Sequence, residues 1–212
     1  MTTNLAGMRI GHATDETFHT GVTVLLCPPQ TIGGVDVRGP APGSRETALL
    51  SPERPVHYVN AIVLTGGSAY GLATADGVMR FLGERDIGHY TPLIPIPIVP
   101  AAVVFDLGFS RGQKLPDAEM GYAACTAAQA DSVLQGNIGA GAGVTVGKWG
   151  GFTHFMKGGF GLATLQEQEL VVAAVAVTNA VGDIVEDNGE VLAGAYKPDG
   201  GWLVDDYPWR AM

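Results

Sequence analysis

The chain predicts an α+β fold, a layered sandwich in which strands fill most of the interior and two helices cover them. Three observations lead there: a strand, glycine turn and helix in succession over residues 61–85, a β-branched apolar run over 169–179, and 31 glycines among 212 residues without a fixed period. The absence of a period excludes collagen and leaves many tight turns and close backbone contacts. A chain that is 46% hydrophobic and 16% charged has ample material for one filled interior and little surface charge, so a single domain over residues 1–212 is expected.

Residues 21–27 and 31–37 alternate as strands and flank Pro28-Pro29-Gln30, which reads as a hairpin. The Gly/Pro-rich stretch 38–46 is a loop. The run Ala61-Ile62-Val63-Leu64-Thr65 is a strand, Gly66-Gly67-Ser68-Ala69-Tyr70-Gly71 a turn, and residues 72–85 a helix with Leu72, Ala75, Met79 and Leu82 on one face. Pro95, Pro97 and Pro100 forbid a helix interior or a central ladder across 91–109, which predicts an extended edge segment or an ordered loop. Asp117 follows Pro116 and can N-cap a second helix over 118–130. Beyond it the pattern is β at 139–147, 160–165 and 169–179, the last apolar on both faces as in a strand covered on both sides.

A net charge of −9 without a Lys/Arg cluster leaves no electrostatic footprint for nucleic acid or anionic lipid. Two distant cysteines, Cys27 and Cys125, argue against a disulfide scaffold and read as buried thiols in a reducing cytosol. Neither a secretory signal nor a stretch of the ~20 apolar residues that span a bilayer is visible. The run from Gly139 to Lys148 imitates a phosphate loop, yet its spacing is one residue off and Trp149 stands where Ser or Thr would hold magnesium. The five histidines are dispersed and form no zinc motif, and no cofactor or metal is expected.

What remains is a scattered polar set: Ser68 and Tyr70 in the glycine turn, Lys148 after a glycine-rich stretch, and Asn179 at the end of the long apolar run. The unpaired N–H groups at the start of a helix suit a carboxylate or a developing oxyanion, which makes Gly67 and Ser68 candidate substrate contacts. A lysine beside an asparagine amide and a tyrosine hydroxyl forms an anion-stabilising pocket. The same residues also admit a structural reading, with Asn179 capping a turn at Gly182, Lys148 snorkelling and Tyr70 in the core.

At these positions the chain resembles a family. Gly66-Gly67-Ser68-Ala69-Tyr70-Gly71, the segment from Val99 to Asp106, Gly139-Ala140-Gly141-Ala142-Gly143 through Gly147-Lys148, and Thr178-Asn179-Ala180-Val181-Gly182-Asp183 are similar, in order, to segments of the L-aminopeptidase/D-esterase family, which includes β-peptidyl aminopeptidases and nylon-oligomer endo-hydrolases. Residues 38–47 look like another of its segments. The resemblance implies an αββα sandwich of the N-terminal-nucleophile type, made by a precursor that cuts itself into a longer α chain and a shorter β chain. The nucleophile is then the new N-terminal Ser or Thr of the β chain, with its own α-amine as general base. Neither the cleavage junction nor that segment is found in these 212 residues, so the chain is expected to be the α subunit or a fragment of the precursor. By the same resemblance Tyr70 and Asn179 polarise the substrate carbonyl and hold the oxyanion, Lys148 orients or activates the nucleophile, and αβ units assemble as a homotetramer acting on small peptides or amides, in the cytoplasm that the cysteines suggest. Endo-hydrolysis of ω-amino-acid oligomers, a self-contained hydrolase using Ser68, and a non-catalytic scaffold are the competing expectations.

Overall fold

The computed structural model describes residues 5–207. Its centre is a five-stranded sheet built from β1 (Arg9–Asp15), β2 (Thr20–Leu26), β3 (Ser44–Arg45), β4 (Ala61–Thr65) and β5 (Ala101–Val103), in spatial order β1-β2-β4-β5-β3. β2 lies antiparallel to both β1 and β4, whereas β4 and β5 run parallel with Val63, Leu64 and Thr65 opposite Ala101, Ala102 and Val103. A parallel pair needs a crossover. Here it contains a 3₁₀ turn, Ser68–Ala73, and the helix α1, Thr74–Gly83.

Alternation along the strands sorts side chains between two interiors. Val22, Val24 and Leu26 of β2 and Ala61 and Val63 of β4 face α1 and the later helix α3 (Ala118–Thr126), packing with Ala75, Val78, Phe81, Leu82 and Cys125. The small residues of α1 serve the approach of these two helices: a Cβ on Gly77 would strike the Ala118 carbonyl, and one on Gly121 the Thr74 carbonyl. Asp117 caps α3 by accepting the Met120 N–H at 3.0 Å, as its sequence position predicts, although the helix stops at Thr126. On the sheet's other face Leu25 and Ile62 meet Leu162, Val175 and Val177 of a long hairpin, β8 (Phe160–Glu167) and β9 (Leu170–Val177). Helices, sheet and hairpin therefore make three layers, α, β and β.

Between these come α2 (Leu107–Ser110), β6 (Thr145–Val146) paired with β7 (Met156–Lys157), and near the C-terminus β10 (Ile184–Val185) paired with β11 (Val191–Ala193). Several expectations are corrected. Residues 31–37 form no strand and no hairpin with β2; only Ile32 bridges to Tyr58, because Pro28-Pro29 interrupt the chain and β1 and β4 already occupy both sides of β2. Of the two expectations for 91–109 the ordered loop holds for 91–100, with one bridge from Ile96 to His89, and the edge does not: past Pro100 the chain enters the sheet between β4 and β3 and then forms α2. In the stretch 139–147 the strand is reduced to Thr145–Val146, preceded by a 3₁₀ turn at Gly139–Gly141. β9 is covered on one side only, Leu170 and Val172 of the hairpin being exposed along with Leu165. Cys27 is half-buried rather than buried. Among the described residues no helix is long and apolar enough to cross a membrane, and no group of three metal-binding side chains comes together.

Candidate active site

Because β4 and β5 are parallel neighbours, the chain leaves both at the same end of the sheet, which brings the glycine turn after β4 against Val104, Phe105 and Asp106 after β5. The Val104 N–H donates to the Thr65 carbonyl at 2.8 Å and the Ser68 N–H to the Val104 carbonyl at 3.1 Å. Asp106, only 1% exposed, clasps the turn: its Oδ1 accepts the Gly67 N–H at 2.7 Å and its Oδ2 the Thr20 hydroxyl at 2.6 Å. Burial pushes this carboxyl above the usual aspartate value, against the opposing effect of the two hydrogen bonds. The glycines are required for that clasp. A Cβ on Gly66 would run into the Asp106 carboxylate, and Gly67 adopts φ +78°. The Gly67 and Ser68 N–H groups are thus already occupied by Asp106 and Val104, and the turn does not offer them to an anion as the sequence suggests. Ser68 itself is left-handed, with φ +53°.

Asn179 leaves β9 and reaches this corner, its Oδ1 accepting the Phe105 N–H at 3.0 Å. It does not cap a turn at Gly182. With the oxygen engaged, the free face of the side chain is the Nδ2 amide, a hydrogen-bond donor. Lys148 arrives beside it because residues 147–149 are zipped to the strand-like segment after Asn179: the Gly147 N–H donates to the Gly182 carbonyl at 2.9 Å and the Trp149 N–H to the Val181 carbonyl at 3.0 Å. Lys148 Nζ donates to the carbonyls of Thr145 and Ala180 at 2.8 and 3.0 Å. An ammonium has three donors, so one remains, and burial lowers the Lys148 pKa from its ordinary value.

Lys148 lines a cavity of about 110 Å³ together with Thr145, Asp106, Phe105, Phe109 and Phe155 among others. The structure therefore brings Asn179 and Lys148 together with Phe105, and sets Gly67 and Ser68 behind Asp106. Tyr70 stands on the 3₁₀ turn, 68% exposed; neither it nor Asn179 lines the cavity, but Asn179 is hydrogen-bonded to Phe105, which does. The sequence does not single out Asp106 or the phenylalanines as site residues. The acid did have a signal, a lone carboxylate ending an apolar run, whereas the phenylalanines of 105–155 carry no spacing that distinguishes a lining from a core.

The segments so assembled match a peptidase family model, Peptidase family S58, over residues 1–197. The chain belongs to this family. Among its relatives, an uncharacterized aminopeptidase of Mycobacterium leprae is 44% identical over 200 residues, covering 87% of this chain and 53% of that protein. A 6-aminohexanoate-oligomer endohydrolase of Paenarthrobacter ureafaciens is 33% identical over 197 residues, covering 92% and 52%. The chain thus spans about half the length of the curated relatives it matches. The fold is likewise that of solved structures: a Burkholderia sp. β-aminopeptidase superposes with TM-score 0.64 at 21% identity over 85% of this chain and 52% of that one. The L-aminopeptidase D-Ala-esterase/amidase from Ochrobactrum anthropi, described as a variant of the Ntn hydrolase fold, gives 0.60 at 16% identity over 84% and 53%. The layered α+β architecture expected of the sequence is therefore the Ntn-type one.

Proposed function

We propose that this chain is the pocket-forming part of an aminopeptidase or amidase whose nucleophile, an N-terminal Ser or Thr, lies on a second chain cut from the same precursor. The observation that carries the reading is one apolar-walled corner: Lys148 lines it with a third Nζ–H to spare, and Asn179, next to the Ala180 carbonyl that Lys148 binds, is tied through its Oδ1 to the backbone of Phe105, which also lines it, and keeps its Nδ2 amide to spare. Such donors fit a tetrahedral oxyanion and gain strength away from water. No histidine or carboxylate hydrogen-bonds the Ser68 hydroxyl among the described residues, which supports placing the nucleophile elsewhere. The family membership, and relatives about twice as long as this chain, support the same division.

In this mechanism the nucleophile's own α-amine takes the hydroxyl proton as the oxygen attacks the substrate carbonyl. Asn179 and the Lys148 ammonium hold the resulting oxyanion, the proton passes to the departing amine, and water then releases the acyl group. Gly67 and Ser68 shape the backbone wall through Asp106, and Tyr70 contacts substrate or the second chain from the outer side of the turn. The exposed outer face of β8 and β9 is the surface that, in our proposal, that chain covers. Exposed apolar residues at Tyr90, Leu93 and Ile94 support assembly of αβ units into a closed homo-oligomer, a tetramer in our proposal, and free Cys27 and Cys125 suit a cytoplasmic setting.

Turnover of aminoacyl p-nitroanilides by the processed precursor, with none by the chain alone, is the expected result. Turnover by the chain alone, with a serine-directed probe mapping to Ser68, transfers the nucleophile to this chain; no turnover in either form leaves the scaffold reading. Cleavage of 6-aminohexanoate oligomers in preference to aminoacyl amides would favour the endo-amidase alternative that the Paenarthrobacter relative's name suggests.

A further inference from the structure

Four phenylalanines stand around the mouth of the Lys148 cavity, and the amide-hydrolase reading does not by itself explain them. Phe109 meets Phe155 edge to face with centroids 5.9 Å apart, Phe155 meets Phe152 at 6.2 Å, and Phe105 completes the wall beside Asn179. Behind Phe109 the His19 ring lies at 5.3 Å and Lys157 Nζ sits 5.2 Å above its face, so this ring is held from several sides. Phe152 is the opposite case, 83% exposed. The cavity at Lys148 opens between the same rings into a recess of about 490 Å³ that also touches Leu107 and Arg111.

Resting on that reading of the site, we propose that the recess formed by Phe105, Phe109, Phe152 and Phe155 is the specificity subsite, taking an aromatic or large branched apolar side chain next to the scissile carbonyl. Size permits it. A dry cavity of roughly 150 Å³ takes up benzene, and about 110 Å³ beside Lys148 widening into the outer recess leaves room for a phenyl ring. Chemistry favours it, since edge-to-face and offset arrangements among rings are preferred and a fifth ring extends the existing series. Charge excludes the alternative of a basic side chain: of the ionisable residues lining the recess, Asp106 is committed to Thr20 and Gly67, and Lys148 and Arg111 are cations. The rings shared with the Lys148 cavity, one of them Phe105 whose N–H holds Asn179, are what assign the recess to substrate rather than to a packed segment of the second chain.

The test is a comparison of Phe, Leu, Ala, Gly and Lys p-nitroanilides with the processed precursor. We expect kcat/KM to rise by about tenfold or more from Gly to Phe, in line with the ~10–200-fold that one methylene commands in an apolar pocket, and the Lys substrate to be the poorest. Phe152→Ala lowers the Phe/Gly ratio chiefly through KM, and the milder Phe155→Leu does so to a smaller degree. An unchanged ratio in Phe152→Ala together with a lowered Tm makes the ring a core residue against the second chain and overturns the proposal, as does a preference for Gly or Lys. Should no substrate turn over, the hydrolase reading fails on its own. The recess is then judged by calorimetry: phenylalaninamide binding no tighter than glycinamide, or equally well in Phe152→Ala, refutes it, and a preference lost in that variant upholds it.

Discussion

Replacing Asp106 separates what its shape does from what its charge does. In Asp106→Ala the Gly67 N–H and the Thr20 hydroxyl lose their acceptor inside the protein, at a site 1% exposed. Each orphaned buried donor costs ~1–3 kcal/mol, so with the void left behind the loss is roughly 3–5 kcal/mol. Asp106→Asn keeps the outline: its Oδ1 accepts from Gly67 and its Nδ2 can donate to the Thr20 oxygen, so the cost is about 1 kcal/mol or less. The pH dependence follows from the raised carboxyl. Between the ordinary value of 3.8 and the higher folded value, the folded state binds more protons than the unfolded one, so stability falls as pH rises through that window. Relative to Asp106→Asn, wild type is therefore most favoured at the acid end and loses that advantage toward neutrality. Urea unfolding followed by circular dichroism across this range measures both effects. An alanine variant within about 1 kcal/mol of wild type, or a wild-type-to-asparagine difference that grows in wild type's favour as pH rises, would refute the clasp as described.

Asn179→Ala should lower kcat on aminoacyl p-nitroanilides by ~10² or more with Tm little changed, as removal of an oxyanion donor does; Tyr70→Phe, whose hydroxyl lies outside the cavity, should stay within a few-fold in the same steady-state assay. Because burial lowers the Lys148 pKa below 10.5, activity that needs its ammonium should fall on an alkaline limb that begins below that value, while stability rises with pH over the same interval; Lys148→Met should lose both trends in pH-rate and pH-melting profiles. Light scattering of the processed protein should give a salt-insensitive homo-oligomer, and a single αβ unit at micromolar concentration would show that Tyr90, Leu93 and Ile94 need no cover.

The parts of the fold legible in the sequence were those with a local cause. The strand at 61–65, the face of Ala75, Met79 and Leu82 on α1, and the Asp117 cap all follow from periodicity or from one side chain satisfying nearby N–H groups, while Leu72, expected on the same helix, packs against that core from the 3₁₀ turn before it. The misreadings were of pairing. Nothing local says that β2 would take β1 as its neighbour instead of residues 31–37, or that a segment entered through three prolines would emerge as an inner strand. The site divides the same way. Asn179 and Lys148 stood out as polar residues in apolar surroundings, and contacts 74 and 32 residues long bring them to one corner. In the sequence the glycine turn looks open to an anion because its filler, Asp106, comes from 39 residues away.

The parallel pairing of β4 and β5 has a further consequence. Neighbouring strands are held about 4.8 Å apart by their ladder, so the relative position of the glycine turn and the 104–106 backbone is set by the sheet and not by either connection. Phe109, Phe152 and Phe155 belong to connections outside that ladder. The proposed recognition surface can therefore be rewritten residue by residue while the proposed reacting corner keeps its dimensions, which would give one scaffold a way to inherit its chemistry and vary its diet independently.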